Sequence, residues 1–467
     1  MVAATGAQGR AIHGEGEGMT TIDDSTPVHL RGNGRPITEE RTLTDLAVRG
    51  SVPSELDGRY VRNGANPYTG TSSHPFFGDG MVHGVRLRDG RAEWYRNRYV
   101  RTPFIDDPSV DILDPAVMMD MTASKANTHV VGHAGRILAL EEGHFPYVLD
   151  GGLDTVGPID FDGRLTGSFT AHPKICPVTG ELLAFGYSAF EPYLRYHRVS
   201  ADGSLVQSED ITVGGPTMMH DFNVTRNHVI FMDLPAVFDL DRAIRGEMPI
   251  AWSDTYPARL GVMPRDGSDA DVRWYEINPC YVFHPMNAYE DGTSIVIDVA
   301  RLSHVWRDSM MDFPMPELWR WTIDTVSGSV REEQIDDRPA EFPRVPDALV
   351  GLQHRYGYMM AVPGDANDDP LTLTGAILKY DRETGARTEL SLGRGRVCGE
   401  PVFVPAATES AEDDGYLMTF VYDANTDTSE FVVLDAATMD PTPVAAIDLP
   451  RIPHGFHGSW VSSSVVD

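Results

Sequence analysis

Residues 413–435 read DDGYLMTFVYDANTDTSEFVVLD. An Asp-Gly pair precedes the apolar run YLMTFVY (416–422), and a second run, FVVLD (431–435), follows after a polar stretch. Such pairs mark tight turns because both turn positions need positive φ, and runs rich in Val, Phe and Tyr beside them read as strands. The same grammar recurs along the chain. Asp89-Gly90, Asp162-Gly163, Thr179-Gly180, Asp202-Gly203, Asp291-Gly292, Ser327-Gly328 and Thr384-Gly385 punctuate runs such as RILAL (136–140), ELLAFGY (181–187), HVIFMDL (228–234) and SIVIDV (294–299). Helical patterns are rare; PAVFDLDRAIRG (235–246) is the best candidate, on a connection. Strands do not alternate with helices of 10–15 residues, which argues against a parallel α/β sheet. The expectation is an all-β fold: one closed, repetitive structure, a β-propeller with loops and short helices capping one face. Seven blades would take roughly 60 residues each. No WD or kelch signature is present, so the blades rest on hairpin density alone.

Composition agrees. The chain has 467 residues with 44 Gly and 33 Pro, a turn-rich but not low-complexity mixture. No inter-domain linker stands out, so residues 31–467 read as a single β-propeller domain after a flexible tail, 1–30. Residues 1–25 contain GEGEG and no apolar segment of the kind a signal peptide needs, and Met19 offers an alternative start. The formal net charge is −31, from 38 basic and 69 acidic residues. That surface repels phosphate backbones and anionic lipid, which argues against nucleic-acid binding. Cys176, Cys280 and Cys398 lie far apart, which favours a reduced, cytoplasmic compartment. No apolar run is long enough to span a bilayer.

Four of the sixteen histidines sit in apolar or small-residue contexts at strand edges: His172, His220, His284 and His457. The gaps between them, 48, 64 and 173 residues, are near one, one and three blade lengths. That spacing could carry four strands to one axis. Any one of them taken singly is better read as a hydrogen-bonded core residue; the joint pattern is what points to a metal. Imidazoles suit iron, copper, zinc or nickel. Their free ring N–H groups need acceptors, and Glu142, Glu341 and Glu400 occur in apolar surroundings suited to that role.

Twelve segments in order resemble the carotenoid cleavage oxygenase family, which also contains stilbene-cleaving dioxygenases and a retinoid isomerohydrolase. They run from LDGRYVRNGANP (56–67) and HPFFGDGMVHGVRL (74–87) through YRNRYVRT (95–102), ANTHVV (126–131), LALEEGHFPYVLD (138–150) and TAHPK (170–174). MHDFNVTRNHVIF (219–231), VFHPMNAYEDG (282–292), LKYDRETG (378–385), GEPVFVP (399–405), DDGYLMTFVYD (413–423) and GFHGSW (455–460) complete the series. The resemblance implies a seven-bladed propeller with Fe(II) on its axis, held by His172, His220, His284 and His457. It implies Glu142, Glu341 and Glu400 as hydrogen-bond acceptors for the bound imidazoles; Glu341 rests on the short match EFP alone. It places Thr128 over an open coordination position, and Phe76 and Tyr99 in the substrate channel, although either aromatic could equally be packing. Zinc has no redox chemistry, whereas iron can activate O2 toward an alkene. The implied reaction is oxidative cleavage of a conjugated C=C bond of a carotenoid or apocarotenoid into two carbonyl products.

Two departures bear on substrate. Phe77 stands where many members carry an acid. Glu141 stands where phenol-cleaving members carry lysine, and a carboxylate there would repel a phenolate. A stilbene or isoeugenol-like phenylpropenoid is therefore the alternative substrate, after a neutral polyene. An isomerohydrolase and a non-catalytic binding propeller are the competing classes. The partners implied are O2 and a lipophilic alkene, and no protein partner is expected. The Met-rich segments AVMMDM (116–121) and MMDFPMPELW (310–319) would touch a membrane peripherally if exposed.

Overall fold

The computed structural model describes residues 26–110, 114–245, 248–309, 312–364 and 368–466. The tail expected over residues 1–30 lies outside them up to residue 25, and within them Leu30 is buried. The described chain is nearly all β. Its α-helices are single turns, Pro103–Asp106, Pro115–Met118 and Leu240–Ile244. The helix expected over 235–246 shrinks to the last of these. Val237 and Phe238 are better strand than helix formers, and Ala236–Phe238 pairs with Ile250–Trp252. Asp239 then caps the short helix, its carboxylate accepting the N–H groups of Asp241 and Arg242 at 3.0 and 3.2 Å.

The strands form successive antiparallel sheets. His129–His133, Arg136–Leu140, Tyr147–Leu149 and Thr155–Pro158 make one, and Lys174–Ile175, Leu182–Tyr187, Leu194–Val199 and Leu205–Asp210 the next. Two further four-stranded sheets begin at Asn223–Val224 and Tyr281–Asp291. A ten-stranded sheet then runs from Ala340–Arg344 to Ala445–Leu449 and Val48–Gly50, its two halves bridged by one parallel pair, Thr374 with Arg396. The last strand, Gly458–Ser462, pairs with Gly58–Arg62, so the two ends of the chain share a sheet. Among the turn signals, Asp89-Gly90, Asp202-Gly203, Asp291-Gly292, Ser327-Gly328 and Thr384-Gly385 join paired strands, with positive φ at each glycine. Asp162-Gly163 lies in a connection, and Gly415 opens a strand.

Among the described residues no sheet closes on itself, but the cores do follow a cycle. Val61 and Val82 belong to the first sheet, the five-stranded one in which Gly58–Arg62 and Gly458–Ser462 pair, and they pack with Ile137 and Ala139 of the next. Leu138 packs with Leu182, Phe185 with Phe231, and Ile230 with Ile297 and Trp321. Met286 and Leu318 meet Met359 and Leu378, and Tyr358 meets Leu417. Phe420 and Phe431 return to Tyr60 and Tyr95 of the first sheet. Apolar burial between sheet faces is the dominant favourable term in folding, and here it joins each sheet to its neighbour round to the start.

Candidate metal centre

The first strand of each successive sheet is an edge strand, and the candidate residues sit on or just before these edges. His172 precedes Lys174–Ile175, His220 precedes Asn223–Val224, and His457 precedes Gly458–Ser462. His284 lies inside Tyr281–Asp291, where the register slips on either side of Pro285. A bulge re-aims side chains, and proline supplies no ladder N–H at that point.

The four rings converge. Centroid separations are 4.5 Å for His172–His220, 4.6 Å for His172–His457 and His284–His457, and 5.1 Å for His220–His284. His172, His220 and His284 offer ring nitrogens within 4.8 Å of one another. The Nε2 atoms of His220 and His284 are 3.2 Å apart, and Nε2 of His172 is buried without a hydrogen-bond partner. Burying an unpaired polar nitrogen is unfavourable. One cation at the point of convergence would satisfy these nitrogens together, so the donor set fits a metal that accepts imidazoles.

The opposite ring nitrogens are tied to carboxylates. His284 Nδ1 is 2.6 Å from Glu341 Oε2, and His457 Nδ1 is 3.1 Å from Glu400 Oε1. His220 Nδ1 is in close contact with Glu142 Oε1. A proton held at Nδ1 leaves the lone pair on Nε2. The glutamates are themselves held. Tyr187 Oη donates to Glu142 Oε2 at 2.5 Å. The Gly458 N–H donates to Glu400 Oε2 at 2.8 Å, and Arg344 Nη1 lies 3.4 Å from Oε1. A Cβ at position 458 would come within 2.8 Å of Tyr60 Oη, so this close approach requires glycine. His172 differs from the other three. Its nearest carboxylate, Asp221, is 3.8 Å from Nδ1 and is held at 2.8 Å by Lys174. His129 braces the backbone beside it, its Nδ1 2.9 Å from the Ala171 carbonyl.

Burial, then the neighbouring histidines, holds His172 and His457 well below the usual imidazole range, which keeps both neutral and able to ligate. For His284 burial is again the largest single influence and acts in the same direction, but the carboxylates of Glu341, Asp221 and Glu400, Glu341 foremost, together raise the pKa. Burial, then the charge of Glu142, pushes the Tyr187 hydroxyl well up, so Tyr187 remains the donor.

An aromatic wall adjoins the rings. Phe283 lies 5.0 Å from His220, 6.0 Å from Trp306 and 6.1 Å from Phe313. Phe76 continues it, 6.5 Å from Phe313 and 5.8 Å from Phe456. Phe342 stacks on His284 at 5.2 Å. Thr128 accepts the His457 N–H at its carbonyl, at 3.1 Å, and its hydroxyl donates to Asn127 at 2.9 Å. The Asn127 amide in turn donates to the Phe76 carbonyl at 2.8 Å.

Thr128, Phe76, the three glutamates and the four histidines thus form one connected set. Tyr99 and Glu141 are engaged elsewhere. The Tyr99 hydroxyl donates to the Ile37 carbonyl at 2.8 Å and pairs with Asn66, and its ring is buried with Met81 and Ile105. Glu141 Oε1 lies 2.5 Å from His144 Nδ1 and accepts the Gly143 N–H at 3.0 Å. Lys125 pairs with Asp79 at 2.7 Å. Sequence reasoning did not single out Tyr187, Asp221, Phe283 or Phe342. Asp221 and Phe283 were legible only as chain neighbours of His220 and His284, and Tyr187 only as the end of a strand.

The family model described as retinal pigment epithelial membrane protein matches residues 34–462. A carotenoid cleavage oxygenase of Mycobacterium tuberculosis is 40% identical over 96% of this chain and 100% of its own length. Carotenoid 9,10(9',10')-cleavage dioxygenase 1 of Arabidopsis thaliana is 37% identical over 94% of this chain and 91% of its own. Among solved structures, the Pseudomonas brassicacearum lignostilbene dioxygenase superposes with a TM-score of 0.85 at 29% identity, covering 95% of this chain and 100% of that one. Cobalt-substituted Synechocystis apocarotenoid oxygenase gives 0.81 at 27% identity, covering 94% and 100%.

Proposed function

The chain belongs to the carotenoid cleavage oxygenase family, and from that premise we propose that it is an iron-dependent dioxygenase that splits one conjugated C=C bond of a carotenoid or apocarotenoid. The observation that carries this reading is the four-histidine cluster with carboxylates behind it and an aromatic wall in front. His172, His220, His284 and His457 hold the ion; Glu142, Glu341 and Glu400 fix three of the rings. Fe(II) at that place supplies the redox chemistry that lets O2 react with a closed-shell alkene. Phe76, Phe283 and Phe313 offer apolar faces to a polyene, which has almost nothing to hydrogen-bond, and exclude water from the reacting bond. Thr128 is tied to the His457 N–H through its carbonyl, where it would help to hold that ring in place and narrow the space open to substrate. Each alkene carbon gains one oxygen, giving two carbonyl products. Incubation of the iron-loaded protein with carotenoids and apocarotenals under 18O2 is expected to give labelled aldehydes. An isomerohydrolase would leave O2 unconsumed.

The ranking of substrates follows from Glu141. Its carboxylate is committed to His144, and the ammonium that a phenolate needs is absent from this position. A carotenoid or apocarotenoid is therefore expected to have a higher kcat/KM than a 4-hydroxystilbene or isoeugenol. Faster hydroxystilbene cleavage would overturn the ranking. Tyr99 is buried and its hydroxyl is already engaged by Ile37 and Asn66, so it is not available to hold a substrate oxygen.

Tyr187 is a positioning residue for Glu142. Tyr187→Phe frees one glutamate oxygen to rotate away from His220, so metal affinity is expected to fall by about tenfold, the lower end of the range for such partners. Tyr187→Phe in a Glu142→Gln background should add little. Cobalt titration of all three variants, read by absorbance, checks this.

Seven blades are the architecture this reading needs. The first sheet, the four four-stranded sheets and the two halves of the ten-stranded sheet are seven units whose cores follow one cycle. Residues 31–467 then form a single domain closed by the pairing of its two ends. No helix among the described residues is long and apolar enough to cross a membrane. Met119 and Met315 are 76% and 47% exposed, which supports peripheral contact during uptake of a lipophilic substrate. Residues 310–311 of the second Met-rich segment lie outside the described residues.

A further inference from the structure

A cavity of about 370 Å³ reaches the histidine cluster by a different way from the aromatic wall. His172, His284 and His457 line its inner end, and Phe76, Phe283, Trp306 and Phe313 take no part in it. Its lining also includes Pro177, Asp347 and Ala348, all exposed, so it runs from the surface to the rings. Between these ends charged and amide side chains stand among apolar ones. Lys174 is paired with Asp221 at 2.8 Å, and Arg344 with Asp347 at 3.0 Å and Glu400 at 3.4 Å. Three carboxylates therefore face two cations. The excess is negative, as is the whole molecule at −31.

We propose that this cavity is the loading route of the metal ion, separate from the path of the alkene. The inference rests on the reading of the four histidines as a metal centre. A hydrated divalent cation loses its solvation against an aromatic wall, at a cost that nothing there returns. In this cavity it can exchange water for the carboxylate of Asp347, the amide of Asn287 and the imidazoles at the inner end. Asp347, with a side chain 60% exposed at the rim, is the first carboxylate it meets. Negative potential at the mouth of a narrow cleft raises the local concentration of cations. An apolar alkene gains more from the aromatic wall, which has no charged group to desolvate.

The test uses the full chain stripped of metal by a chelator and mixed rapidly with Co(II), whose absorbance reports ligation by the histidines. Ala348→Trp places a bulky ring at the exposed rim, away from every ligand. Cobalt uptake and chelator-driven release are both expected to slow by at least about tenfold, with the equilibrium affinity unchanged, because a barrier on a path acts equally in both directions. Pro177→Trp, at another part of the rim, should act in the same way. Met315→Trp, two residues from Phe313 in the chain, should leave both rates as they are. Unchanged rates in both rim variants, or equal slowing by Met315→Trp, would overturn the route. An unmodified chain that ligates no cobalt would instead sink the metal-centre reading on which the route depends.

Discussion

His220→Ala is expected to yield a folded protein that retains little iron and cleaves no alkene. His220 stands outside the strands and outside the apolar clusters that join the sheets, so its loss should leave the β-sheet circular dichroism unchanged. At the centre the effect is large. Its Nε2 lies 3.2 Å from that of His284, and its ring 4.5 Å from that of His172. Removing it takes away one of four converging donors and leaves Glu142 facing an apolar gap with only Tyr187 as partner. Loss of a hydrogen-bonding partner behind a ligand typically costs about 10–100-fold, and loss of the ligand itself should exceed the upper end of that range. Metal analysis of the purified variant decides the matter: full iron occupancy would remove His220 from the ligand set.

Glu400→Gln is expected to come next in severity and to exceed Glu341→Gln. Both oxygens of Glu400 accept, one from His457 with Arg344 close by, the other from the Gly458 N–H. A glutamine must turn its amide N–H toward one of those donors, and it leaves Arg344 with less compensating charge in a buried site. Glu341 accepts from His284 and from the Phe342 N–H through Oε2 alone, and its Oε1 is buried without a partner. Its amide can therefore keep oxygen toward both donors and place nitrogen on the vacant side. Iron affinity should fall by about 100-fold for Glu400→Gln and about tenfold for Glu341→Gln, the two ends of the usual range. Competitive titration against a chelator checks both values, and equal effects would mean that charge alone matters at these positions.

Local chemistry carried much of this protein's identity. Asp-Gly and Thr-Gly turns between Val- and Phe-rich runs sufficed for an all-β chain, because positive φ at the turn glycine and period-two burial are properties of neighbouring residues. The four converging histidines were legible for a related reason: each is a polar ring among apolar or small neighbours at a strand edge, and such a ring needs a partner. What brings His172 within reach of His457, 285 positions later, is the order in which sheets pack. That order is the sum of many apolar contacts, none of them specific in sequence. Only the folded structure decided that Tyr187 holds Glu142, that Asp221 stops 3.8 Å short of His172 because Lys174 holds it, and that Glu141 turns to His144. In each case one carboxylate has several donors within reach. The donor that wins is set by how the backbone carries it there, and one strand read alone does not contain that information.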